Sequence, residues 1–435
     1  MKKITIIAMA LTITSALWGA NTPKPFDGKV LKVLSFRDNH SEAVLRQLKT
    51  FEDLTGAKIK LDLIASNTVA TKTATDQMAG GSYDLYTVDE PFIPQLSTYF
   101  VPMTQWPKDT VVPAAELNWS HFLTTALEGA SFKGVQYGLP VQSNVYMYVY
   151  RSDLFESPQE QAAFKKRYGY DLKVPETTEQ YRDVAEFFTR PPKLYGFAPF
   201  TKKSEGTTVE AMWILGTFGV KIFDDNLNVI LDVQKTKEAF QFYKDMMAFA
   251  PRGAKSWHHS ERMASWRRGK LAQIMTWPGF LKGLEDPLKS RVVGKNAYGV
   301  PPKGPQGQSS PVSGTWALAM AKTSKNKELA AAFARWWGSF SFGKNLVAKG
   351  MNPARIDLLK DQDLVANNPW FPAITNNFQS AIIRPRFPEY RKVSDKISFH
   401  FTNMVVGSQS PEDAAANLKK DLVKLASGFA KGQTH

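Results

Sequence analysis

The stretch that decides the fold is 30–91, VLKVLSFRDNHSEAVLRQLKTFEDLTGAKIKLDLIASNTVATKTATDQMAGGSYDLYTVDEP. Val30, Leu31, Val33, Leu34 and Phe36 make a short β-branched and apolar strand. Val44, Leu45, Leu48, Phe51 and Leu54 then recur at helical spacing, and Gly56 stops them. Ile59, Leu61 and Leu63 alternate as a second strand. Lys72 to Ala79 reads as a helix ending on Gly80-Gly81, and Leu85 to Val88 as a third strand. Strand, helix, strand, helix, strand is the order of a parallel sheet with helices on its faces. Loops leaving the carboxyl ends of such strands form ligand crevices. Here they are Arg37-Asp38-Asn39, Ser66-Asn67-Thr68 and Asp89-Glu90-Pro91.

Upstream, Asn21 to Gly28 is a polar leader. Met1-Lys2-Lys3, the apolar run Ile4 to Leu17 and the small residues Gly19 and Ala20 have the layout of a secretory signal peptide, 1–20, cleaved near residue 20. That run is shorter than the roughly 20 apolar residues a bilayer span needs, and no later stretch reaches that length. The mature protein is therefore expected to be exported, and the periplasm fits best. The 435 residues bound the chain to two or three domains. With 43% hydrophobic and 22% charged residues the composition is globular. No cysteine is present, which excludes disulfides, thiolate metal sites, thiol catalysis and a cysteine-borne lipid anchor.

Downstream, Gly138 to Asn144 breaks the composition before a strand, Val145 to Tyr150. Thr177 and Gln180 form a capping box after Pro175. Pro301 to Pro305 and Pro311 mark a second break, followed by a strand, Trp316 to Ala321, and a helix, Leu329 to Trp337. Ser410 and Pro411 open a last helix, with Leu418, Leu422 and Leu425 facing inward.

Little in the sequence points to catalysis. His258 and His259 are adjacent and no second pair stands at ligand spacing, so no metal and no cofactor are expected. Neither a nucleophile elbow nor a phosphate loop is present. Asp224-Asp225 and Glu285-Asp286 read as turn and cap carboxylates. The 55 lysines and arginines outnumber 40 acids, for a net charge of +15. They lie in scattered short runs without a nucleic-acid motif, so nucleic acid is not an expected partner.

The aromatics are more informative: 28 Phe, 14 Tyr and 11 Trp. Most belong to the core. Trp213, Trp257, Trp277 and Trp316, however, sit beside glycines, loops or polar turns. Trp277 follows the strand Leu271 to Thr276 and precedes Pro278-Gly279, so it cannot lie inside a paired ladder and is expected over a cleft. Indoles near polar loops suit a sugar, which has an apolar face and a rim of hydroxyls. Burying ~100 Å² per stack at ~25 cal/mol/Å² contributes about 2.5 kcal/mol. Each buried hydroxyl needs a partner, and Asn67, Asp89, Glu90, Gln142 and Asn144 offer such groups.

At this point the chain resembles the extracellular sugar-binding subunits of ATP-binding-cassette importers, the family of maltose-binding protein. The resemblance runs through Ser82 to Asp89 with Pro91 to Gln95, Tyr137 to Val141, Tyr150 to Phe155, Pro175-Glu176-Thr177, Arg268 to Ala272, Ser313 to Ala317, Asn326 to Ala330 and Gly350 to Arg355. It implies an α/β fold of two lobes, each a mostly parallel sheet flanked by helices, joined by a hinge of several crossings near Gln142-Ser143 and Pro311–Gly314. The first lobe would hold 27–142 and 313–345, the second 143–312 and 346–435. It also implies that Trp277 stacks on ligand and that Arg355 lies in the family's Pro-x-Arg segment. Many relatives have tryptophan where this chain has Phe92. The implied function is capture of a sugar or polyol by a monomer that delivers it to membrane permease subunits, and the positive net charge suits an anionic sugar with Arg355 or Arg37 as its partner. The alternative is an exported carbohydrate-active enzyme with the same aromatic cleft.

Overall fold

The structure, a computed structural model, describes residues 24–108, 111 and 114–429. The expected signal peptide lies outside them. Strands β1 (Val30–Phe36), β2 (Lys58–Ile64) and β3 (Leu85–Asp89) form as read, β1 pairing in parallel with both others. A two-residue hairpin, β4 (Ser131–Phe132) and β5 (Val135–Gln136), precedes the long β6 (Gly138–Val145). β10 (Ser313–Met320) lies between β3 and β6, antiparallel to each, and completes a five-stranded sheet of order β2-β1-β3-β10-β6. Four of its strands run one way, so their carboxyl ends share one edge.

The second sheet is smaller: β7 (Met147–Arg151) sits between β8 (Gln273–Thr276) and β9 (Asn296–Gly299), antiparallel to both. This corrects the expectation of a mostly parallel sheet in each lobe. The reason is connectivity. β7 continues β6 across Tyr146 and enters the second lobe running away from the junction, while β8 runs back and delivers Trp277 to it. The sheet's alternation divides its side chains between two cores: Met147 and Val149 join one, Tyr146 and Tyr148 the other.

Local chemistry accounts for the helices. Between β1 and β2 the expected single helix is two, Asn39–Leu45 and Leu48–Thr55. Asp38 caps the first by accepting from Ser41 N. At the break the Gln47 side-chain amide donates to Ala43 O. Gly56, at φ +78°, ends the second in the left-handed conformation that favours glycine. The helix expected over 72–79 runs Ser66–Met78, longer because only Ala65, its N-cap residue, separates it from the end of β2. Thr177 caps Thr178–Phe187, and Gln180 reaches back to Glu176 N. Ser410 caps Pro411–Ala426, burying Leu418 and Leu422.

The chain crosses between sheets at Tyr146 and again at Val312, where Tyr146 N donates to Val312 O. A third segment lies alongside: Ile382 N donates to Pro311 O, and Ser313 N to Ile382 O. Residues 346–359, expected in the second lobe, are bonded to the first, since Leu123 N donates to Ala354 O and Arg355 Nη1 to Glu116 O at 2.6 Å. Helix Phe371–Phe378 then packs on β7 and β9, and Tyr390–Val406 and Pro411–Ala426 pack with Glu205–Thr217 and Val233–Met246.

That second helical core encloses an ion pair. Arg262 Nη2 meets Glu210 Oε1 at 3.1 Å with both side chains sealed from solvent. Tyr243 donates to Glu210 at 2.7 Å, Tyr146 donates to it as well, and Arg262 Nη1 reaches Tyr146 Oη at 2.5 Å. Burial opposes the Arg262 charge, but Glu210 together with Tyr146 and Tyr243 outweighs it and keeps the guanidinium protonated. Removing one partner leaves the other charge uncompensated in an apolar interior. Arg262→Ala is therefore expected to cost about 3–5 kcal/mol of unfolding free energy by denaturant titration; a loss under ~1 kcal/mol would show that the pair does not hold this core.

Candidate functional site

The junction between the sheets gathers polar and aromatic side chains from both sides. From the first sheet come the carboxyl ends of β1 and β3, with Asp38 and Asp89, and Gln142 and Asn144 of β6. Trp316 of β10 stands in register with Asp89 on one side and Gln142 on the other. Its indole stacks on Phe36, centroids 3.7 Å apart at 20°. From the second lobe comes Trp277, half-buried, tilted against Tyr146 at 5.2 Å. It also lies against Gly314, where a Cβ would come within 3.1 Å of the indole, so only glycine lets the ring approach this strand. Gly279, one turn on, faces the Asn144, Asn352 and Gln142 side chains at about 4 Å from where its own Cβ would stand.

Two polar networks hold these groups. Gln142 Nε2 donates to Asp38 Oδ2 at 3.0 Å, and Asn352 Nδ2 to Asn144 Oδ1 at 3.2 Å. The other centres on Arg384, buried where the third chain segment meets β10. Its Nε donates to Glu90 at 3.3 Å, its Nη1 to Asp89 at 3.0 Å and to Glu205 at 3.2 Å, and its Nη2 to Asp89. Glu90 accepts in addition from Thr315 N at 3.0 Å and from Ser313 Oγ. Glu205, at the start of Glu205–Thr217, accepts from Tyr390 Oη and from Ser394 Oγ at 2.6 Å.

Burial pushes the Asp89 carboxyl up to about 6, against the downward pull of Arg384. Burial raises Asp38 to about 6 as well, partly offset by its bonds from Ser41 and Gln142. His40, behind Asp38, is held down to about 3 by burial and is neutral.

Asp89, Glu90, Gln142, Asn144, Trp277 and Trp316 are thus brought to one place. The other expected residues are not. Trp213 is fully buried on Tyr181 in the second helical core, because every side of its helix is covered. Trp257 is half-buried, with its carbonyl accepting from Thr201 and Lys202 and its ring packed against a buried apolar cluster. Asn67 is exposed in the first turn of Ser66–Met78, not in a loop. Arg355 is buried with both Nε and Nη2 on Asp357 and its plane over Phe122, so it braces the first lobe. Phe92 is buried edge-on to Tyr390. Asp38, Asn352, Glu205 and Arg384 were not among the expected residues. Asp38 was legible as part of a strand-end loop, but nothing in the run Ile382-Ile383-Arg384-Pro385-Arg386 marks Arg384. The remaining carboxylate pairs are turn groups: Asp224 accepts from Asn226 N and Asn228 N, and Asp286 from Leu288 N. Among the described residues no three His, Asp or Glu side chains converge as a metal site.

Residues 38–339 match the family of bacterial extracellular solute-binding proteins. The chain belongs to that family. As a solute-binding protein it serves transport by binding, without a catalytic step. A probable ABC transporter-binding protein of Deinococcus radiodurans is 24% identical over 85% of this chain and 87% of its own length. The mannitol-binding protein of Pseudomonas aeruginosa is 26% identical over 84% of this chain and 77% of its own. An ABC transporter solute-binding protein of Agrobacterium radiobacter, solved in complex with ribitol, superposes with a TM-score of 0.82 at 27% identity, covering 92% of this chain and all of that one.

The two tryptophans in different settings give a paired test. Trp277→Ala should weaken ligand binding by about 10-fold or more, one lost stack, while stability changes little. Trp213→Ala should cost about 3–5 kcal/mol of stability through its cavity. Calorimetric titration and melting would reveal the reverse pattern if the placement were wrong.

Proposed function

We propose that this solute-binding protein is the receptor of an ABC importer that captures a small polyhydroxylated compound, a pentitol, hexitol or monosaccharide, between its lobes. The carrying observation is that Trp277 from one lobe and Asp38, Asp89, Gln142 and Trp316 from the other face a single junction spanned by three chain segments. Relatives that bind mannitol or ribitol support the size and class of ligand. The indole covers the C–H face of the solute, and carboxylate and amide groups take its hydroxyls.

Affinity follows from closure. The lobes pivot about Tyr146, Val312 and Ile382, and ligand stabilises the closed form only through contacts it makes with both sides. Micromolar binding corresponds to about −8 kcal/mol, within reach of one or two stacks and several paired hydroxyls after ordering costs. The closed protein, exported to the periplasm and monomeric, docks on permease subunits and releases the solute chemically unchanged. An anionic solute would take Arg355 or Arg37 as its partner; the former is bound to Asp357, and the latter pairs with Glu42.

A melting-temperature screen of ribitol, mannitol and common monosaccharides should give at least one stabilising ligand, followed by small-angle scattering. The expected result is a smaller radius of gyration with ligand, a monomeric mass and a ligand recovered intact by mass spectrometry. A radius indifferent to a tightly bound ligand, or a cleaved product, would overturn the proposal.

A further inference from the structure

The charged side chains gathered at the junction are mostly acids. Gln142 is 4% exposed, one amide N–H is donated to Asp38, and its carbonyl Oε1 is buried without a protein partner. Asp38 accepts from Ser41 and Gln142, and among the described residues no lysine or arginine forms an ion pair with it. Across the junction three carboxylates, Asp89, Glu90 and Glu205, share one guanidinium, and every nitrogen of Arg384 is already committed to them. The neighbouring arginines are engaged too. Arg37 bonds Glu42 and Leu63 O, and Arg386 donates to Glu128 O and Ser131 O.

Two other buried orphans have a local answer. His40 Nδ1 belongs to a residue lining a cavity of about 10 Å³ that Asn352, with its own orphan Oδ1, also lines, and such a space holds about one water. Gln142 Oε1 does not border it, so its donor must come from elsewhere.

We infer that the cleft selects a solute that donates hydrogen bonds and carries no negative charge: a neutral polyol, with an amine tolerated in place of a hydroxyl, while aldonates, uronates and sugar phosphates are rejected. This rests on the proposed function and adds the charge class of the same ligand. A hydroxyl or ammonium can donate to Gln142 Oε1 and to Asp38. An ionised carboxylate has no proton to give, and it would be buried beside Asp38 and Asp89, whose neighbouring guanidinium, Arg384, is already shared among three carboxylates. The acidic cleft thus stands against a chain whose overall charge is +15.

The test is calorimetric titration of the whole mature protein with matched sets: mannitol, mannonate and 1-amino-1-deoxymannitol; ribitol and ribonate; glucose, glucuronate and glucosamine. At pH 7.5 the acid of each set should bind at least about 10-fold more weakly than its neutral parent, with the amine within about 10-fold of it. Lowering the pH to 5 should narrow the gap. Asp38, which faces Glu42 and Gln142, and Asp89, which faces Arg384, Glu90 and Glu205, take up protons through about 6, while a sugar acid stays ionised down to roughly 3.5. Asp38→Asn, which keeps the cap on Ser41, should narrow the gap at pH 7.5 without acid. An acid that binds as tightly as its neutral parent overturns this inference and leaves the saccharide-binding reading standing. Failure of every compound in all sets to bind overturns both.

Discussion

Three backbone segments, at Tyr146, Val312 and Ile382, lie side by side where the two sheets meet, and each is hydrogen-bonded to the next. This pairing is the constraint on which the molecule's use depends. It fixes the two lobes to each other along one line. It also orders the cleft, because every strand that enters or leaves the junction carries a side chain to it. Gln142 and Asn144 arrive on β6, Trp316 leaves on β10, and Trp277 ends β8. Gly314 sits on the crossing itself and gives up a Cβ so that an indole from one lobe can rest on a strand of the other.

Charge is deployed differently on the surface and inside. The excess of lysine and arginine is spread over solvated faces, where ion pairs such as Lys49–Asp53 contribute little. Buried guanidinium groups are few and fully used. Arg262 is locked to Glu210 within the second helical core, and Arg384 is locked to Asp89, Glu90 and Glu205 at the junction. The latter arrangement ties the strand-end loop of the first lobe, the third hinge segment and the first turn of a second-lobe helix into one unit. The carboxylates around it are held at fixed positions before any solute arrives, which lowers the ordering cost of binding.

Much of the first lobe was readable because its signals are local. A β-branched run, a helical spacing closed by Gly56 and an alternating second strand each depend on neighbours in the chain. Trp277 was readable for the same reason: a proline and a glycine directly after a strand deny it a place in a ladder. The misplaced residues share the opposite property. Trp213 and Trp277 are the same side chain near glycines, yet one is sealed among Tyr181 and its neighbours and the other lies half-buried at the junction of the sheets. The Pro-Gly pair after a strand marks Trp277, but nothing within several residues of Trp213 announces its burial. Arg355 sits in a family-like segment, but Glu116, Phe122 and Asp357 claim it.

The sequence by itself determined the order of elements, the parallel start of the first sheet, the caps and the membership in a solute-binding family, since these rest on short-range periodicity and on motifs carried in order along the chain. Tertiary structure alone decided that the second sheet is antiparallel, that Asp38 and Arg384 stand at the junction of the sheets, and that Trp213 and Arg355 are sealed in the interior. Those outcomes depend on which segments meet across hundreds of residues. Burial and partner choice belong to the meeting, not to either segment.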